Sequence, residues 1–86
     1  MIVQVSLFGA FRQFDAAAKV TLALPEAATV ADLRRALGTY AESHWPEFKP
    51  GLLARSAFAS DREVLRDGDA LPADGRMAVL PPVSGG

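Results

Sequence analysis

Met77-Ala78-Val79-Leu80-Pro81-Pro82-Val83-Ser84-Gly85-Gly86 are the last residues of the sequence, and the two halves of this stretch call for opposite environments. Met77 to Leu80 form an unbroken apolar run, as expected of a central strand buried on both faces. Pro81 has no amide hydrogen to offer a neighbouring strand, so the strand ends there. The tail beyond it has no charged side chain and finishes on two residues with no side chain at all. Pro-Pro-x-x-Gly-Gly in one fixed register arises by chance on the order of once in 10⁵ chains. A cloning-linker scar accounts for Ser84-Gly85-Gly86 but not for the Pro-Pro-Val before it. Glycine lets a backbone approach other atoms closely. The expectation is therefore a thin thread that enters a narrow cleft on another protein and presents the α-carboxylate of Gly86 as its reactive group.

Upstream of this run the punctuation is that of short strands. Asp67-Gly68 and Asp74-Gly75 read as turns, and Ala57–Ala59 and Glu63–Leu65 as short strands between them. At the other end, Val3, Val5 and Leu7 alternate with Gln4 and Ser6, a half-buried strand that Gly9 closes. Phe11-Arg12-Gln13-Phe14-Asp15 connects it to a second alternating strand, Val20, Leu22 and Leu24, which Pro25 ends. These two strands are near enough in sequence to form a hairpin. Thr29 is placed to cap a helix with Asp32 in its first turn. Val30, Leu33 and Leu37 share one helical face, and Gly38 stands at the expected stop. Residues 39–56 are less regular: Tyr40, Trp45 and Phe48 are large, while Pro46, Pro50 and Gly51 break the periodicity. A short second helix and a loop are expected there. The order predicts an α+β domain over residues 1–80, with a helix packed across one face of a small sheet, and an extended tail over 81–86.

Composition removes several function classes. Eighty-six residues make one domain. A net charge of −1 with scattered basic residues argues against nucleic acid as a partner. There is no cysteine, which excludes a disulfide scaffold, a thiolate metal site and a thiol nucleophile. No apolar run approaches the ~18 residues of a membrane helix. The start of the chain has no signal-peptide pattern, so a cytoplasmic location and no membrane partner are expected.

The chemistry of the tail sets a further requirement. A terminal carboxylate has a pKa of about 3.5, is ionised at neutral pH, and is a poor electrophile. Making it acylating requires activation, ordinarily by ATP to an acyl-adenylate. The sequence has no Gly-x-x-x-x-Gly-Lys-Ser/Thr phosphate loop, so it binds no cofactor itself and a partner must use the ATP. Pro81-Pro82 favours an extended exit that lowers the ordering cost of insertion. Six extended residues reach about 20 Å, enough to enter a recessed active site.

Other candidates carry less. His44 is the sole histidine, with no cysteine to join it at a metal. Asp67, Asp69 and Asp74 lack the spacing of a calcium loop and read as solvated turns. Phe8, Phe11 and Phe14 divide between core packing and an exposed patch, and Leu80 between burial and partner docking.

Asp74-Gly75, Met77 to Leu80 and the PPVSGG ending together resemble the end of the molybdopterin synthase small subunit, one of the ubiquitin-like β-grasp sulfur carriers. Leu7-Phe8-Gly9-Ala10-Phe11-Arg12 is also similar, Arg12 matching a family arginine after the first strand, and Leu71-Pro72-Ala73-Asp74-Gly75 fits as well. Arg76 stands where the family usually has an acid, and Asp61 where asparagine is common. The resemblance implies a mixed sheet of four or five strands in the β-grasp arrangement. It implies that a ubiquitin-activating-type adenylyltransferase adenylates Gly86, with Gly85 beside it. A sulfurtransferase or cysteine desulfurase then supplies sulfur to form a thiocarboxylate. The large subunit of molybdopterin synthase uses that sulfur on precursor Z, so the chain is non-catalytic alone. Arg12, Leu80, Pro81, Pro82, Val83 and Ser84 are the implied partner-binding residues. Sulfur carriage for thiamine or cysteine biosynthesis, and ubiquitin-like protein modification, use the same activated glycine and stay open as alternatives.

Overall fold

Strand β1 (Ile2–Leu7) and strand β2 (Lys19–Ala23) form the expected antiparallel hairpin, with Val3 opposite Leu22 and Val5 opposite Val20. The computed structural model describes residues 1–82, so the expectations for Val83, Ser84, Gly85 and Gly86 fall outside the described residues. The connector between the strands is a 3₁₀-helix, Gly9–Phe14, that drives Phe11 fully into the core. Phe14 stacks on Trp45 at 5.0 Å between ring centroids.

Helix α1 (Val30–His44) starts on a capping box. Asp32 Oδ2 accepts from the Thr29 backbone N–H at 2.9 Å, and Thr29 Oγ1 accepts from the Asp32 N–H at 3.4 Å. Two otherwise orphaned amides are satisfied reciprocally. Gly38 does not stop the helix. Ala41, four residues beyond Leu37, continues the buried stripe of Val30, Leu33 and Leu37. The end comes at Trp45, which precedes Pro46 and is extended, since the proline ring disfavours helical backbone before it. Gly38 instead faces helix α2 (Pro50–Ala54), where an added Cβ would stand 3.4 Å from Leu53 Cδ2. The short second helix is as expected, and Pro50 starts it because the first helical position needs no amide donor. Gly51 lies inside it, not at a break.

Strands β3 (Ala57–Ala59), β4 (Val64–Leu65) and β5 (Arg76–Leu80) complete a five-stranded sheet in the order β2-β1-β5-β3-β4. Strand β5 runs parallel to β1 and antiparallel to β3, so the sheet is mixed and β5 is its centre. The centre is buried on one face only, which corrects the expectation from the apolar run. Met77 and Val79 join Val3, Val5, Leu7, Val20 and Phe58 under the α1 stripe, while Ala78 and Leu80 face the other way and are half-buried. One long helix covers one face of a sheet, so the run Met77 to Leu80 divides between a core face and an open one. The turn before β5 is fixed by Gly75, at φ +69°, where a side chain would fall on the Ile2 carbonyl oxygen. That approach lets the Gln4 N–H donate to the Gly75 carbonyl at 2.7 Å and start the β1–β5 ladder.

Candidate functional site

The parallel pairing of β1 with β5 decides where the tail leaves. Both strands end at the same side of the domain, so Leu80 and Pro81 emerge beside the Gly9–Phe14 helix. The Phe8 N–H donates to the Val79 carbonyl at 3.3 Å, which carries the pairing one step past β1. Arg12 sits exposed in the last turn of the 3₁₀-helix and has no hydrogen-bond or ion-pair partner among the described residues. Pro82 is exposed and Pro81 half-buried. Arg12, Leu80, Pro81 and Pro82 thus gather at one end of the sheet.

The open sheet face runs from this end. Strand alternation places Ile2, Gln4, Ser6 and Phe8 on one side of the first strand, opposite the core residues. Ser6 pairs with Ala78, Ala78 with Ala59, and Ala59 with Val64, so these share the open face. Among the described residues, the exposed large hydrophobic ones, Ile2 (63% exposed), Phe8 (47%) and Val64 (62%), therefore all lie on the face that α1 leaves uncovered. Beside Phe8 on this face is a shallow recess of about 280 Å³ with a floor of Ser6, Ala59 and Ala78 and a rim that includes Phe8, Asp61 and Arg76. Small side chains keep the floor low, and the rim supplies one aromatic ring, one acid and one base. An apolar surface with charges at its margin is suited to docking a protein. Asp61 and Arg76, the two departures from the molybdopterin synthase pattern, rim this same recess.

Sequence reading missed this face because Gln4 and Ser6 mark it as solvent-side. The signal was present in parity: Ile2 and Phe8 bracket those two polar residues at the same two-residue spacing. The three phenylalanines separate cleanly, with Phe11 buried, Phe14 packed beside Trp45 and Phe8 exposed.

The residues set aside have structural roles. His44 is exposed, its Nδ1 2.9 Å from the Tyr40 carbonyl and its ring stacked on Tyr40. Asp67 pairs with Arg34, Asp69 accepts from the Arg66 N–H at 2.7 Å, and Asp74 accepts from the Arg76 N–H at 3.0 Å. Among the described residues no cluster of histidine and carboxylate side chains could hold a metal ion, and no helix is long and apolar enough to cross a membrane. The Asp32 carboxyl is held below its usual pKa, chiefly by the Thr29 backbone N–H, with Thr29 Oγ1 and Arg35 adding to the effect against desolvation. It belongs to the helix cap.

The ThiS family model matches residues 5–86. No curated protein matches the chain significantly. Among solved structures, the crystal structure of SAMP1 from Haloferax volcanii is 25% identical with a TM-score of 0.70, each chain covered over 100% of its length. A crystal structure of H. volcanii small archaeal modifier protein 1 is 21% identical with a TM-score of 0.72, covering 95% of this chain and 98% of that one. The solution structure of the H. volcanii HVO 2177 protein is 22% identical with a TM-score of 0.70, covering 100% of this chain and 87% of that one. With these likenesses the five-stranded mixed sheet and its helix are a ubiquitin-like β-grasp fold.

Proposed function

The chain belongs to the ThiS family, and from that premise we propose that it is a sulfur carrier whose Gly86 becomes a thiocarboxylate for molybdopterin synthesis. The observation that supports the carrier role is the reach of the family match, which runs through both terminal glycines to residue 86; the molybdopterin branch rests on the resemblance of the PPVSGG ending. Residues 1–80 act as the docking body and 81–86 as the thread. A ubiquitin-activating-type adenylyltransferase binds the open sheet face and the Arg12 end. A Gly86 carboxylate oxygen bonds to the α-phosphorus of ATP, and pyrophosphate leaves. The outer sulfur of a persulfide on a sulfurtransferase or a cysteine desulfurase attacks the acyl carbon and the bond to AMP breaks; a thiol of a partner then forms a disulfide with the donor's remaining sulfur, supplying the two electrons that release the thiocarboxylate. Gly85 keeps the thread narrow beside the reacting carbonyl. At the large subunit of molybdopterin synthase the sulfur passes to precursor Z, and water returns Gly86 to a carboxylate. The chain supplies the acyl group and its delivery; its partners supply the catalysis.

The test is reconstitution. With its adenylyltransferase, ATP, a sulfur donor, the large subunit and precursor Z, the chain is expected to yield molybdopterin, and the variant lacking Gly86 to yield none. A chain that is adenylated and thiocarboxylated yet leaves precursor Z unchanged would move the assignment to thiamine or cysteine biosynthesis. A second reading, ubiquitin-like modification, is favoured by the full-length likeness to SAMP1 and by the modifier named in the second related structure. Under that reading a lysine amine attacks activated Gly86, and mass spectrometry of cell proteins finds Gly86 in isopeptide linkage.

A further inference from the structure

Gly9 stands at the root of the tail in a conformation that most residues avoid, with φ +56°. A side chain there would be obstructed as well as strained. A Cβ on Gly9 would lie 2.6 Å from Pro81 Cγ and 3.2 Å from Pro81 Cδ, against 3.9 Å from Pro81 Cβ. The first distance is too short for packed carbon atoms, the second is tight, and the third is ordinary contact. The pyrrolidine ring of Pro81 therefore occupies the space that the missing side chain leaves. Two restraints meet at this point. The Phe8–Val79 hydrogen bond fixes the backbone just before it, and the proline ring fixes φ at Pro81 itself.

We propose that Gly9 is a positioning residue for the tail: its bare Cα seats the Pro81 ring and so sets the direction in which the chain leaves β5 towards the activating enzyme. The inference rests on the carrier reading above. It assigns Gly9 no contact with ATP or with the reacting carbonyl, and it acts only through Pro81. Direction at the root matters because a small angular change there is multiplied along the residues that follow, and reaction demands near-contact geometry. Docking of the body, by contrast, uses the sheet face and Arg12 and does not need the Gly9–Pro81 seat.

The experiment compares wild type, Gly9→Ala, Pro81→Ala and the double variant with the organism's own ubiquitin-activating-type adenylyltransferase. Pyrophosphate release gives kcat and KM for the carrier, a binding isotherm gives Kd, and thermal melting reports the fold. Gly9→Ala is expected to lower kcat by tenfold or more, with Kd changed less than twofold. In the double variant Pro81 Cγ and Cδ are gone while the left-handed strain at position 9 stays. Recovery of kcat to that of Pro81→Ala, above Gly9→Ala, is therefore expected although the melting temperature is not recovered. A double variant as slow as Gly9→Ala would assign the defect to backbone strain and overturn the inference, as would normal kcat in Gly9→Ala. Should Gly9→Ala fail to fold, Pro81→Ala leaves the Gly9–Phe14 helix intact and must lower kcat severalfold, by more than any change in Kd; an unchanged kcat overturns the inference. If wild type itself releases no pyrophosphate, the carrier reading fails and takes this inference with it, an outcome distinct from a working wild type with indifferent variants.

Discussion

Arg34 on helix α1 donates from both Nε and Nη2 to one oxygen of Asp67, at 3.2 and 2.8 Å, and so ties the helix to the loop that follows β4. The same guanidinium donates from Nη1 to the carbonyls of Leu53 and Ser56, at 2.7 and 2.8 Å, and lies 5.0 Å over the Phe58 ring. One side chain thus closes the end of α2, the start of β3 and the distal loop. Arg34→Met retains much of the aliphatic stem but leaves two carbonyls without this donor. Destabilisation of about 1.5–3 kcal/mol is expected, in the range for hydrogen bonds to a charged group. Asp67→Asn is expected to lose less than about 1 kcal/mol, because its carboxylate is exposed. Urea denaturation checks both, and equal losses would show that the ion pair, not the carbonyl bonds, is the tie.

Leu33 is fully buried under α1, against the sheet core. Leu33→Ala is expected to destabilise by about 2–5 kcal/mol through lost transfer energy and a residual cavity. In a domain of this size that is a large share of the total stability. An unchanged denaturation midpoint would mean that the helix presents another face to the sheet.

The capping box gives a signed pH dependence. The folded-state pKa of Asp32 lies below its usual value of 3.8 because the charged form accepts from Thr29. The carboxylate's contribution to stability is therefore fully present above pH 3.8 and is lost as pH falls through the lower folded value. Asp32→Asn is expected to flatten this acidic limb of the stability profile and to leave the curve near neutrality with little slope, as in wild type. An acidic limb that is the same in both proteins would remove Asp32 as its source.

Much of the fold was legible because local chemistry and tertiary context agree. Thr29 and Asp32 announce a helix start by side-chain hydrogen bonding, and Val3, Val5 and Leu7 announce a strand by parity. The end of α1 was misread at Gly38 because glycine marks a helix stop only when no packing rewards continuation. Here Ala41 extends the buried stripe, and the absent Gly38 side chain admits Leu53. Met77 to Leu80 were read as buried twice over, since Ala78 and Leu80 are apolar whether they meet a helix or a partner. The recess stayed hidden for a related reason: β3 and β5 meet at Ala59 and Ala78 only through long-range pairing, which spacing alone does not reveal. Arg12 was singled out by resemblance and Leu80 by its place before the tail, and the parallel β1–β5 ladder explains why residues so distant in sequence lie at one end.

Docking and threading are expected to separate. Phe8→Ala and Arg76→Glu alter the recess rim without touching the core, so each should weaken binding to the adenylyltransferase by tenfold or more with little change in melting temperature. Gly85→Val is expected to bind within about threefold of wild type, while adenylation falls by orders of magnitude, because a β-branched side chain stiffens and widens the thread. Pyrophosphate release and a binding isotherm on all three variants check this. Normal adenylation of Gly85→Val would show that the diglycine is no steric requirement of the activation step, and unaltered binding of Phe8→Ala and Arg76→Glu would place the docking surface elsewhere.

The most direct measurement is the intact mass, with fragmentation of the last peptide, of the protein isolated from the cells that make it under conditions that preserve thioacids. The account predicts a population in which one oxygen is replaced by sulfur, localised to the terminal carbonyl of Gly86 and lost in cells lacking the adenylyltransferase. Gly86 found only as a carboxylate in cells that contain that enzyme and its sulfur donor, or only in isopeptide linkage to lysine, would contradict it.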